Sequence, residues 1–188
     1  MISISLYKLA KQFELGVVLF YRPTAKLMYQ AECPNFENPA PGTMIDCSFT
    51  DIQGCDVSFA DEFIINIQKY IKAFENVVFR LSDCNEVVRE NLQAALAARN
   101  GKDDTKINIM YYHLGHYYFL DKMENNLQQT FDYLQDVGSI TARDIAIKFE
   151  IEINSASNRL KKLYDSNKLF RTETKDENGR QHVYSLNE

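Results

Sequence analysis

The chain has 188 residues, 45% of them hydrophobic, which is enough for one or two small cores. Its formal net charge of −5 argues against a protein that coats nucleic acid without regard to sequence, but allows a local basic surface. No apolar run approaches the ~18 residues of a membrane span, and the N-terminus has no cationic leader, so a cytoplasmic protein with no membrane partner is expected.

Residues 1–9 alternate apolar and polar and read as a strand. A second apolar run covers residues 15–21, and the sequence from Arg22 to Met28 reads as a helix start with Pro23 in its first turn. Residues 35–42, with Pro39, Pro41 and Gly42, read as a loop, and residues 44–49 as a short strand. Phe63, Ile64, Ile67, Tyr70, Ile71 and Phe74 recur at helical spacing, which predicts an amphipathic helix over 59–74. The β-branched run at 77–81 suits a central, buried strand. Val87, Val88, Leu92, Ala95 and Leu96 mark a further helix, and residues 106–112 a last strand. Strands alternating with helices imply an α/β layer with a largely parallel sheet.

Cys33, Cys47, Cys55 and Cys84 form no C-x-x-C pair and read as buried free thiols. Asp46, Asp51, Asp56, Asp61 and Glu62 could ligate Mg²⁺, but they suit loop and helix-start positions better. His113 and His116 lie three apart among tyrosines, with Gly115 between them. The pattern favours strand, turn and a packed aromatic seam over a metal pair. No Gly-rich phosphate loop, nucleophile elbow or local Cys/His pair is present, so no enzyme activity, cofactor or metal is expected.

The segment from Val57 through Ser58, Phe59, Ala60, Asp61 and Glu62 to Phe63 opens a helix after a strand that ends in Asp46-Cys47-Ser48. It resembles the Ser-Phe-Ala-Asp-Glu signature of a STAS-like domain family of unknown function, related to the anti-sigma-factor antagonists of bacteria. The stretch Arg22-Pro23-Thr24-Ala25-Lys26 is similar to that family's upstream helix. The resemblance covers roughly residues 15–100 and implies a kinase-type ATPase as partner, with Ser58 as the candidate phosphorylation site. The antagonists carry Ser-Gly where this chain has Ser58-Phe59. From the residues alone, Ser58 with Asp61 three positions on also reads as a helix N-cap.

Beyond residue 120, Met123, Leu127, Phe131, Leu134 and Val137 form one apolar helix face, stopped by Gly138. Thr141 and Asp144 sit at capping positions for a short second helix. Residues 154–171 carry Arg159, Lys161, Lys162, Lys168 and Arg171 against one acid, Asp165. At 100° per residue, Ile153, Ala156, Leu160, Leu163 and Tyr164 face a core. Ser155, Asn158 and Lys162 then face outward, flanked by Asn154, Arg159 and Lys161. Asn and Arg suit base edges, and Ser and Lys suit phosphates. Residues 169–174 and 181–186 form a hairpin turning at residues 176–179, with Lys175 and Arg180 at its tip.

This segment resembles the winged helix-turn-helix of bacterial transcription regulators. The expected architecture is therefore an α/β domain with a STAS-like mixed sheet over residues 1–120, followed by a winged helix of three helices and a β-hairpin over residues 121–188. The expected function is a transcriptional regulator that binds double-stranded DNA as a homodimer through Asn154, Ser155, Asn158, Arg159, Lys161, Lys162, Lys175 and Arg180. The alternative is a protein-interaction adaptor in a partner-switching pathway with no DNA role. A nuclease or metal-dependent enzyme using the acidic loops is the third reading.

Overall fold

The structure, a computed structural model, describes residues 1–101, 106–176 and 179–187. In chain order it contains β1 (Ile2–Ser5), α1 (Leu6–Gln12), β2 (Val18–Leu19), α2 (Arg22–Phe36), β3 (Met44–Ser48), β4 (Gly54–Cys55) and α3 (57–71). It continues with β5 (Val78–Ser82), α4 (Glu86–Asn100), β6 (Met110–His113), β7 (His116–Phe119) and α5 (Asn125–Val137). Then follow β8 (Ser139–Thr141), α6 (Ala142–Phe149), α7 (Ile153–Asp165), β9 (Phe170–Asp176) and β10 (Gly179–Ser185). Among the described residues, no helix is long and apolar enough to cross a membrane.

The fold is mixed α/β. Strands β1, β3, β5 and β6 are parallel in that spatial order, and β7 closes the sheet antiparallel to β6. The strand order never reverses. Right-handed crossovers that always step the same way place their helices on one face of the sheet. On that face Ile4, Ile45, Cys47, Phe79 and Leu81 pack with residues of α1 to α4 in the first core. The other face is left for the described residues beyond 120. Their core takes in Met44, Val78, Met110 and Tyr117 from the sheet, together with Phe131, Leu134, Leu160, Leu169 and Phe170.

Several elements differ from the sequence reading. The first strand stops at Ser5, whose hydroxyl caps a helix by accepting from Lys8 N–H at 3.3 Å. Leu6, Leu9 and Ala10 then bury one helical face, a pattern that overlaps the strand-like alternation before it. Helix α2 runs on through Pro34 to Phe36, into the stretch expected as loop. Pro34 lies on the exposed side, where water can meet the carbonyl left without a donor. The strand expected last, at 106–112, is followed by a second one, and Leu114-Gly115 turn between them with both φ angles positive.

Helix α3 contains a π-helical stretch, Ala60–Ile65. Phe59, Ala60, Phe63, Ile64, Ile65, Ile67, Gln68 and Ile71 are all buried. A wider turn changes the angular step, so more consecutive side chains face inward than one α-helical stripe allows.

The two sets of elements are joined by hydrogen bonds as well as by apolar contact. Asn167, in the left-handed region at φ 58°, donates through Nδ2 to the carbonyls of Phe74 (3.2 Å) and Val77 (2.8 Å), just beyond the end of α3. Arg171 N–H donates to Asn76 Oδ1 at 2.7 Å. Lys168 is 1% exposed, and its Nζ donates to Gln68 Oε1 and to the Asn108 carbonyl. Burial without a carboxylate, reinforced by the charge of Lys72, pushes this lysine down to about 7.

Candidate nucleic-acid interface

The C-terminal elements are set by local chemistry that the sequence carries openly. Thr141 Oγ1 accepts from Asp144 N–H at 3.3 Å, and the Asp144 carboxylate accepts from Thr141 N–H at 2.7 Å. This reciprocal capping box starts α6. Glu150, in the left-handed region, ends it. Helix α7 buries Ala156, Leu160, Leu163 and Tyr164 of the inward set expected from the angles, but Ile153, in its first turn, is exposed. The hairpin pairs Phe170 with Ser185 through to Asp176 with Gly179. Residues 177 and 178 of the expected turn lie outside the described residues. Strand β8, which joins β10 through Ile140 and Tyr184, was not expected.

The outward face of α7 is open. Asn154, Ser155, Ser157, Asn158, Lys161 and Lys162 are exposed, as are Lys175 and Arg180 on the hairpin. Three of these cations have carboxylate partners. Lys161 pairs with Asp165, Lys162 with Glu124 at 3.2 Å, and Arg180 with Glu173 at 3.3 Å. Every side chain in these pairs is more than half exposed. Such pairs contribute little to stability and can be exchanged for another anion.

Arg159 departs from expectation. It is half-buried, its guanidinium lies 5.6 Å from the Phe149 ring, and Nη1 is buried without a partner. Phe149 of α6 attracts the planar cation inward, so Arg159 links α6 to α7 at the edge of the outward face. Lys168 and Arg171, counted with the basic stretch of the sequence, also leave that surface. Lys168 is in the joint with the sheet domain, and Arg171 stacks 4.1 Å above the Tyr164 ring.

Two residues were missed. A concavity of about 260 Å³ runs between the start of α6, the start of α7 and the hairpin, lined by Arg143, Ile153, Ser157, Arg180 and His182 among others. Arg143 is exposed and has no ion pair among the described residues. Ser157 lies about a third of a turn from the centre of the outward face, and only the position of the hairpin makes that flank important. On the outward face itself, Ser155, Asn158 and Lys162, with Arg159 at its edge, line a second concavity of about 430 Å³ with Asn126 of α5.

In the sheet domain, Ser58 lines a cavity of about 400 Å³ with Arg22, Asp61 and Arg99. Ser58 is not the helix N-cap. Asp56 caps α3 by accepting from Phe59 N–H at 2.6 Å, and it also accepts from Tyr21 N–H and from Ser58 Oγ. Burial pushes the Asp56 carboxyl up, but these hydrogen bonds outweigh it and hold the group below its usual range. Four of the five acids considered together in the sequence make caps or ion pairs, Asp56 as the helix cap and the other three with arginines. Asp46 pairs with Arg80, Asp61 with Arg22 and Arg99, and Glu62 with Arg22. Among the described residues, no three His, Cys, Asp or Glu side chains group to hold a metal ion. His113 and His116 face each other across the β6–β7 hairpin, and Tyr111–Tyr118 and Tyr112–Tyr117 are the ring pairs beside them. The aromatic seam reaches the second core, where Phe119 meets Phe131 at 4.6 Å.

Compared with known proteins, the chain matches no family model, no curated protein and no solved structure.

Proposed function

We propose that this chain is a bacterial transcriptional regulator. A STAS-like domain, residues 1–120, receives a signal, and a winged helix, residues 121–188, reads double-stranded DNA. The carrying observation is the exposed polar face of α7, with Asn154, Ser157, Asn158 and Lys161 beside a hairpin that presents Lys175 and Arg180. A helix with this composition suits the major groove, and a hairpin beside it suits the phosphate backbone. Arg143 and Ser157 join the expected contact set, while Arg159 supports the helix from beneath. One short helix covers few base pairs, so a homodimer on paired half-sites is part of the proposal.

The test is duplex affinity of the full chain on its own upstream DNA across a salt series. Asn158→Ala should weaken binding by ~10-fold, about 1.4 kcal/mol, and relax sequence preference. Lys162→Ala should weaken all duplexes alike and reduce the salt slope by about one. Unchanged affinities in both variants would remove α7 as the reading element.

The second reading is a partner-switching adaptor without DNA. It is favoured by the carboxylates already paired with Lys161, Lys162 and Arg180, and by the ten basic against twelve acidic residues from 121 onward. In that reading a kinase-type ATPase phosphorylates Ser58. The added charge would sit against Asp56 and compete with Asp61 for Arg22 and Arg99. Co-purification with such an ATPase and a mass shift at Ser58, without any duplex binding, would favour it.

A further inference from the structure

Parallel strands covered on both faces usually read as continuous apolar runs. Here β3 and β5 instead alternate, placing Asp46, Ser48, Arg80 and Ser82 on the face shared with the C-terminal elements. Asp46 accepts from Arg80 Nε at 2.6 Å and from Ser82 Oγ at 2.9 Å. Arg80 Nη1 donates to Tyr117 Oη at 2.8 Å, and the guanidinium lies 5.1 Å and 5.6 Å from the Tyr112 and Tyr117 rings. The chain continues into the C-terminal elements. Tyr117 Oη donates to Asn187 Oδ1 at 3.4 Å, and Tyr117 N–H donates to Gln135 Oε1 at 2.6 Å. Beside this network lies a cavity of about 310 Å³, with Arg80, Tyr112 and Tyr117 on the sheet side and Gln135, Leu186 and Asn187 opposite.

The bonding pattern selects a ligand class. Gln135 and Asn187 spend their oxygens on Tyr117 and retain their NH₂ groups, and both Asp46 oxygens are engaged. What remains for a ligand is a set of donors: the guanidinium N–H groups that Arg80 has not committed, two amide NH₂ groups and the Tyr112 hydroxyl. His116, also at the cavity, can add a ring N–H. A planar guanidinium held by a carboxylate and two rings suits an oxygen pair on a planar or tetrahedral anion. The volume suits a small molecule.

We propose that this cavity binds a small oxyanion, a carboxylate or a phosphate, and that binding fastens residues 121–187 to the sheet. The site does not depend on whether α7 reads DNA, so failure of one leaves the other standing.

The test uses the full chain titrated with succinate and, separately, with inorganic phosphate, read by calorimetry and by thermal unfolding. Saturable binding with a raised Tm is expected for at least one, and which one binds identifies the ligand chemistry. Gln135→Glu keeps the acceptor for Tyr117 N–H but replaces the NH₂ group with a carboxylate oxygen. It should weaken binding by ~10-fold or more, the scale of about 1.4 kcal/mol, while leaving the ligand-free Tm near the parent value. Asn187→Asp makes the same reversal at an exposed position and serves if Gln135→Glu folds poorly. Saturable binding of neither anion, or undiminished binding in the folded variants, would overturn the proposal.

Discussion

The two faces of the five-stranded sheet are built on different principles. The first is apolar across β1, β3 and β5, with Ile4, Ile45, Cys47, Phe79 and Leu81, and closed there by helices that the chain supplies between its own strands. The second is apolar where Met44, Val78, Met110, Tyr117 and Phe119 meet the C-terminal elements. Next to that patch it is polar, through Asp46, Arg80 and Ser82. Hydrophobic burial is strong and undirected, whereas the second face adds to its apolar patch a few directed hydrogen bonds, donated by Asn167 and Lys168 and accepted by Gln135. The first face should therefore set global stability, and the second should be where a signal can act on the attached elements.

The largest contrast should come from truncating each face. Phe79→Ala should cost ~3–5 kcal/mol in urea denaturation, with the whole chain unfolding earlier. Met44→Ala, on the second face, should cost about 2 kcal/mol. Equal costs would break the contrast.

Asn167→Ala should come next, at ~2 kcal/mol or somewhat more. It leaves the Phe74 and Val77 carbonyls unmet and puts a non-glycine, non-asparagine residue at positive φ. Hydrogen exchange should speed up in β9, β10 and α7 before it does in β3 and β5. Uniform acceleration would contradict a separable second face.

Lys168→Met should remove a pH dependence. With its pKa near 7 in the folded chain and the ordinary lysine value near 10.4 when unfolded, the unfolded chain binds the extra proton between these limits. Stability from this group therefore rises with pH across that window, and the full cost of burying the charge is present below pH 7. Burial pushes the Cys47, Cys55 and Cys84 thiols upward, so their contribution falls once unfolded thiols ionise above about pH 8.5. Between pH 7 and 8.5 the parent should gain on Lys168→Met by on the order of 1 kcal/mol per pH unit. A constant difference would mean that Lys168 does not titrate there.

The smallest effect is expected at Lys161→Ala. Its exposed pair with Asp165 should be worth less than about 0.5 kcal/mol. A larger loss would mean that this cation is structural and not available to a phosphate.

What the sequence made legible was local. Thr141 and Asp144 announce their capping box within four residues. Leu127, Phe131 and Leu134 give the buried face of α5 by period alone, and the β-branched run ahead of Leu81 marks the central strand. What stayed hidden depended on distant partners. Lys168 reads as one more surface cation until Gln68 and the Asn108 carbonyl close around it. Arg159 reads as outward until Phe149 is placed beneath it. The three residues of β8 are too few to show a period, and they become a strand only by pairing with β10. Asp46 and Arg80 look like ordinary charges in strands until the register sets them side by side.

The most direct test of the account is selection of bound duplexes from a random library by the full chain, with the Asn158→Ala variant run in parallel. An enriched sequence that the variant fails to enrich, with affinity falling as salt rises, is the expected result. Recovery of no sequence above background, or of the same sequence equally well by both proteins, would contradict α7 as the element that reads DNA.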